Sequence, residues 1–216
     1  MLRLYTEGHR NFSNSDLRGV TGNIISQEIK SLNLREIILR RSNLTAVVLC
    51  RSATLKVDLT GSDLSNCNLQ GADLSTCKLD QCNFSNSDLR RANLSRSSCR
   101  VSDFMKANLQ NIMIYNNDTD FTASNFTEAN FRSTYLSGKF SHTKFCKSNL
   151  RKATFKSFYS QGADFLDADL RDIELPTPTT VDIRYSYYNQ KTKFSPDFDP
   201  IEMGMELIEE ITDLED

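Results

Sequence analysis

The sequence predicts a solenoid, a chain that turns at short regular intervals and stacks its turns on a narrow core, and two observations within residues 62–94 carry the prediction. Large apolar residues stand at every fifth position: Leu64, Leu69, Leu74, Leu79, Phe84, Leu89 and Leu94. A small residue stands two places before each: Ser62, Cys67, Ala72, Cys77, Cys82, Ser87 and Ala92. A period of five fits neither the helical turn nor the strict alternation of a strand, so neither element would hold this stripe on one face. A chain that bends every five residues keeps it inside throughout.

In chain order, residues 1–23 are expected to form an N-terminal cap and first partial coil. Phe12 and Leu17 hold the five-residue spacing, and Asp16 precedes Leu17. The segment VTGNIISQ, residues 20–27, is expected to bulge before Ile29 and Leu34 resume the period. Residues 24–175 then form the repeat. Its inward series runs Leu34, Leu39, Leu44, Leu49, Thr54, Leu59, the opening stretch, Cys99, Phe104, Leu109 and Ile114. Asn116 to Asp118 shift the phase and should protrude at a corner; the series restarts at Phe121, Phe126, Phe131 and Leu136. A four-residue step leads to Phe140, Phe145, Leu150, Phe155, Ser160, Phe165, Leu170 and Leu175. Of these 29 positions 26 are Leu, Phe or Ile, and Thr54, Cys99 and Ser160 depart. Phe158 sits where a small residue belongs and Ser160 where a large one belongs, which predicts a bulge or reversed packing near residues 157–161.

Asp or Asn stands before many of the large residues and two mostly polar residues follow, as in Ala72-Asp73-Leu74-Ser75-Thr76. This pattern resembles the pentapeptide-repeat family. The resemblance implies an all-β solenoid, a right-handed quadrilateral β-helix with one pentapeptide per side and four per coil. The series then makes about seven to eight coils, a column ~34 Å long at the usual spacing of stacked strands.

Pro176 ends the regular series, and residues 176–216 are expected to form a tail, extended at first and then helical. Asp199, Pro200 and Glu202 suit the start of a helix, and Ile201, Met205, Ile208 and Ile211 give it an apolar face that would cover the last coil. Tyr188, Thr192, Phe194, Phe198, Asp199, Pro200, Gly204 and Met205 resemble a tail motif of cyanobacterial pentapeptide-repeat proteins, from which Ser195 departs as an extra residue. The segment GHRNF around Phe12 is similar to the start of several such proteins.

Two histidines, no glycine-rich phosphate loop and no CxxC or HExxH motif leave no enzymatic signature, and no catalytic residue, cofactor or metal is expected. His142, Lys144 and Lys147 surround Cys146, a neighbourhood that could lower a thiol pKa, although an incidental surface cysteine is the preferred reading. Cys67, Cys77, Cys82 and Cys99 fall on inward positions and read as small core residues rather than disulfide partners. Apolar runs are too short to span a bilayer and no apolar signal region follows the first Arg, so a cytoplasmic protein is expected.

Charge is divided along the chain. Residues 1–175 hold 23 Lys and Arg against 18 Asp and Glu, and residues 176–216 hold 3 against 10. Sorting by every fourth pentapeptide groups those centred on Leu49, Leu69, Leu89, Leu109, Phe131, Leu150 and Leu170 on one face. That face carries a candidate interaction strip of Arg51, Arg90, Arg91, Arg132, Arg151, Lys152 and Arg171, with Asp88, Asp169 and Asp172 as its acids. A solvated, screened face is the plainer reading of the strip. The following face carries a candidate aromatic patch of Met113, Tyr115 and Tyr135. Together these predict a non-enzymatic rigid scaffold for a protein partner, as a monomer or weak dimer. The family resemblance adds a regulatory role in a cyanobacterium, for example in cell differentiation. The alternative it offers is a DNA mimic acting on DNA gyrase, but such a mimic needs a strongly negative rod, and this coil is net positive. The overall negative charge and a basic face without interleaved aromatics argue against nucleic-acid binding.

Overall fold

The computed structural model describes residues 7–16, 31–33, 39, 44, 56–115, 118–175 and 181–209. Each corner is made by the residues around an inward side chain. The Asp or Asn before it accepts the backbone N–H two places on, as Asp63 does from Ser65 at 3.1 Å, Asn83 from Ser85 at 2.9 Å and Asp120 from Thr122 at 2.9 Å. Such short-range acceptors favour a turn over continuation as helix or strand. The second residue after the inward one then adopts a left-handed backbone, with φ of 56° at Asn66, 57° at Val101 and 60° at Ala123. A β-branched residue tolerates this region poorly and Asn tolerates it well. Val101 is also 60% exposed, so it gains nothing from burial. Val101→Asn is therefore expected to stabilise the protein by roughly 0.5–1 kcal/mol, measured as a rise in the thermal midpoint.

Successive turns stack as parallel rungs. One side runs Asp63, Asn83, Asp103, Asn125, Lys144, Asp164, Tyr187 and Glu206, each bridged to the next. A second runs Asn68, Asp88, Asn108, Asn130, Asn149, Asp169 and Lys193, and a third Asp58, Lys78, Ser98, Asp120, Lys139, Tyr159 and Asp182. The fourth carries Asp73, Asn93 and Met113, then Tyr135, Thr154 and Glu174. Four sides of five residues make the fold a right-handed quadrilateral β-helix. Its longer rungs are β1 (Ser31–Asn33), β2 (Lys56–Asp58), β3 (Tyr135–Lys139), β4 (Thr154–Tyr159), β5 (Asp169–Leu170), β6 (Val181–Asp182), β7 (Tyr187–Tyr188), β8 (Lys193–Phe194) and β9 (Glu206–Leu207). All of their pairings are parallel.

Every described position of the inward series is buried except Leu175, which is half-buried. Phe84, Phe104, Phe126, Phe145 and Phe165 form one stack, with neighbouring centroids 4.8, 4.9, 5.3 and 5.0 Å apart and rings within 17° of parallel. The small positions also serve a polar purpose. Ser87, Ser102 and Ser124 donate their hydroxyls to the carbonyls of Leu64, Leu79 and Cys99 on the preceding turn, at 2.6 to 2.7 Å. The Cys67 and Cys82 thiols reach the carbonyls of Leu39 and Leu59 in the same way. A hydroxyl or thiol there satisfies a buried acceptor as well as leaving room for the ring.

The irregularities sit where the spacing predicts them. Ser98 pairs with Asp120, two residues beyond the regular step of twenty, so the extra residues near Asn116 leave the sides aligned. Asn116 and Asn117 lie outside the described residues, and Asp118 is exposed. Leu136 pairs with Phe155 but Ser137 with Ser157, a bulge at Lys156 that accounts for the four-residue step on the opposing turn. Phe158 is turned into the core, 4.2 Å from the Phe155 ring and 4.8 Å from Phe140, while Ser160 is buried with an unpartnered hydroxyl.

Two expectations are corrected. The Leu39 and Leu44 amides bond to Asp63 and Asn68, so Leu44, and not Leu49, stacks on Leu69. An additional five residues are accommodated in this turn. The C-terminal helix is absent among the described residues, and the coil continues beyond residue 175. Strand β6 pairs with β4, β8 with β5, and β9 with β7, with Ile183 and Tyr188 buried. Asp199 does cap Ile201 and Glu202, at 2.8 and 3.2 Å. Gly204, at φ 76°, then ends this turn, Met205 donates back to Pro200, and pairing of Glu206–Leu207 with the coil takes the backbone instead. Ile211 and the other residues beyond 209 lie outside the described residues, as do most of residues 1–31.

Candidate interaction surface

The side through Asn68, Asp88, Asn108, Asn130, Asn149 and Asp169 keeps its alignment across both phase shifts. It thereby brings Arg90, Arg91, Arg132, Arg151, Lys152 and Arg171 onto one corner column. Leu44 occupies the place expected for Leu49, and Arg51 lies outside the described residues.

The column is divided by its acids. Arg90 grips Asp88 through Nε at 2.9 Å and a terminal nitrogen at 2.6 Å, and Arg171 grips Asp169 at the same two distances. Arg151 Nε reaches Asp172 on the next turn at 3.0 Å. The Arg171 hydrogen bonds hold the Asp169 carboxyl below its ordinary range, outweighing burial. At Asp88 burial pushes upward and the bonds from Arg90 and Gln70 push downward and prevail. Arg91, Arg132 and Lys152 are exposed and form no ion pair with any described residue. The sequence signal for this division is the triplet Asp-Leu-Arg at residues 88–90 and 169–171, matched by Asp182-Ile183-Arg184, where Arg184 grips Asp182 at 2.8 and 2.9 Å. Sorting by face alone missed it.

Across the corner lies the side bearing Met113 and Tyr135. Met113 is half-buried, Tyr135 is 43% exposed and Tyr115 is 60% exposed. Lys156 stands 5.7 Å over the Tyr135 ring. Only Ser133 and Thr134 separate Arg132 from Tyr135, so the strip and the patch adjoin.

At Cys146 the lowering that the nearby histidine and lysines could have caused does not prevail. Its thiol donates to Asp164 Oδ2 at 3.0 Å, and burial together with that bond and the Asp164 charge pushes it up to about 12. Asp164→Asn keeps an acceptor for the Leu166 N–H, 3.0 Å from Asp164 Oδ1, while removing the charge. Alkylation of Cys146 at pH 8 should become several-fold faster in this variant, followed by mass spectrometry; an unchanged rate would leave burial as the sole cause. Cys82 is likewise pushed up to about 12 by burial. No group of three His, Cys, Asp or Glu among the described residues could hold a metal ion, and no described helix is long and apolar enough to cross a membrane.

The family described as pentapeptide repeats matches residues 42–81, 82–114 and 117–138, in 8 copies. The chain carries pentapeptide repeats. Several solved pentapeptide-repeat structures are similar to this coil. QnrB1, a plasmid-mediated fluoroquinolone resistance protein, is 17% identical over 84% of this chain and 90% of that one, with a TM-score of 0.40. HetL of the cyanobacterium Nostoc sp. strain PCC 7120, a pentapeptide repeat protein involved in heterocyst differentiation regulation, is 20% identical over 90% and 89%, with a TM-score of 0.35. Rfr23 of the cyanobacterium Cyanothece 51142 is 19% identical over 89% and 95%, with a TM-score of 0.20. No curated protein matches the chain.

Proposed function

We propose that the pentapeptide-repeat coil is a non-enzymatic rigid scaffold that binds a partner protein through the corner bearing Arg91, Arg132 and Lys152. The observation that carries this is the division of the column: three arginines are matched to carboxylates on the same side, and these three cations are matched to none among the described residues. Like charges gathered on one side of a sheet are mildly unfavourable unless something opposite meets them. A DNA mimic requires the reverse charge on such a column. The resemblance of the tail to a motif of cyanobacterial proteins of this family, from which Ser195 departs, adds a regulatory task in such a cell to this reading.

The test is affinity capture from native lysate with wild type, with Arg91→Glu/Arg132→Glu/Lys152→Glu, and with residues 210–216 removed. Cutting at residue 175 would strip packed rungs from the coil and is avoided. Partners lost only from the charge-reversed protein support the corner. Partners that survive charge reversal but not truncation assign binding to the tail instead.

A further inference from the structure

We infer that the partner segment is an acidic amphipathic α-helix lying lengthwise along the column, with its carboxylates on Arg91, Arg132 and Lys152 and its apolar stripe on Met113 and Tyr135. This rests on the scaffold reading above and adds the partner's secondary structure and register. Arg91 follows the rung of Asp88, Arg132 that of Asn130 two rungs on, and Lys152 that of Asn149 one rung further. Stacked rungs are about 4.8 Å apart, so the three corners stand at roughly 0, 9.6 and 14.4 Å along the axis. An extended peptide returns to one side at about 6.7 and 13.4 Å, so it meets the third corner but misses the second by about 3 Å. A helix rising about 1.5 Å per residue places residues i, i+7 and i+11 at about 0, 10.5 and 16.5 Å, all on one face.

The neighbouring side completes the fit. Met113 and Tyr135 belong to the turns of Asn108 and Asn130, within the span from Arg91 to Lys152. A helix on the corner therefore has cations along one flank and an apolar centre along the other. That is the arrangement of a specific interface, with an aromatic and methionine core and a charged rim. Tyr115, beyond Met113 on the same side, widens the apolar flank.

The probe is a synthetic helical peptide of about four turns, with glutamates at i, i+7 and i+11 and leucines on the adjoining stripe. Binding is followed by fluorescence anisotropy against the full chain. One control keeps the composition but places the glutamates on opposite faces, and another keeps the order but carries two central prolines. The in-register peptide should bind at least about tenfold tighter than either control, a difference of about 1.4 kcal/mol. Met113→Ser/Tyr135→Ser should weaken it by a similar factor, and Arg91→Glu/Arg132→Glu/Lys152→Glu should abolish it, both with an unchanged thermal midpoint. Equal binding of the opposite-face control reduces the column to undirected charge and overturns the inference. So does tighter binding of the proline peptide, which indicates an extended partner. If lysate partners depend on the three cations while the peptides do not discriminate, the helix falls and the scaffold reading stands. If the partners ignore the cations, both fall.

Discussion

Gly138→Ala is expected to cost about 3 kcal/mol of stability or more. The backbone at Gly138 has a φ of 134°, which other residues rarely adopt, and an added Cβ would lie 2.6 Å from the carbonyl oxygen of Thr119 on the neighbouring turn. That oxygen already accepts the Lys139 amide at 3.0 Å, so it cannot withdraw without breaking a rung. Gly138 is what lets the chain pass from Leu136 to Phe140 in four residues while the opposing turn uses five. Gly71→Ala is the control, since a Cβ there meets nothing within 4 Å at a φ of 64°. A thermal midpoint lowered equally by both changes would show that backbone conformation alone, and not the approach to Thr119, is responsible.

Phe126→Ala should destabilise by about 3–5 kcal/mol, the range for deleting a fully buried ring. Its ring stacks on Phe104 at 4.9 Å and Phe145 at 5.3 Å and meets Phe121 and Phe131 edge-on at 5.5 and 5.0 Å. Nearest-neighbour contacts carry the stability of a solenoid, so a void at mid-column also uncouples the two ends. Denaturant unfolding should become broader, with a smaller m-value or a second transition. Phe198→Ala, which removes a half-buried ring stacked on Phe194 at 5.0 Å, should cost less and leave a single transition. A sharp single transition in Phe126→Ala would mean that the rungs unfold as one unit regardless of the defect.

The scaffold was legible because one rule of sequence repeats at every corner. The inward series, the phase shift after Ile114 and the reversal at Phe158 all follow from counting in fives. The first turn was misjudged because Leu34, Leu39, Leu44 and Leu49 look alike, and only strand pairing shows which of them lies under Leu69. The tail was misjudged for a different reason. Asp199-Pro200 is a sound helix start, but local capping is weaker than the backbone pairing that an exposed rung offers to Glu206–Leu207. The triplets Val181-Asp182-Ile183, Ser186-Tyr187-Tyr188 and Thr192-Lys193-Phe194 carry the small-then-large spacing of the repeat, with tyrosine and lysine in place of Asp or Asn in the last two. At the surface, the column was legible and its occupancy was not. Which arginines are quenched depends on where guanidinium groups lie relative to carboxylates on the same and the next turn.

The direction of the hydrogen bonds between rungs has a mechanical consequence. They run along the long axis, as from Leu69 to Asp88, Leu89 to Asn108 and Leu109 to Asn130. A pull along that axis therefore loads each rung's bonds head-on and opens them one rung at a time from an end, whereas a sideways load is shared among many rungs. The stacked phenylalanines resist compression and contribute little under tension. Such a rod is suited to bearing against something laid along its flank and poorly suited to serving as a tether between two moving bodies.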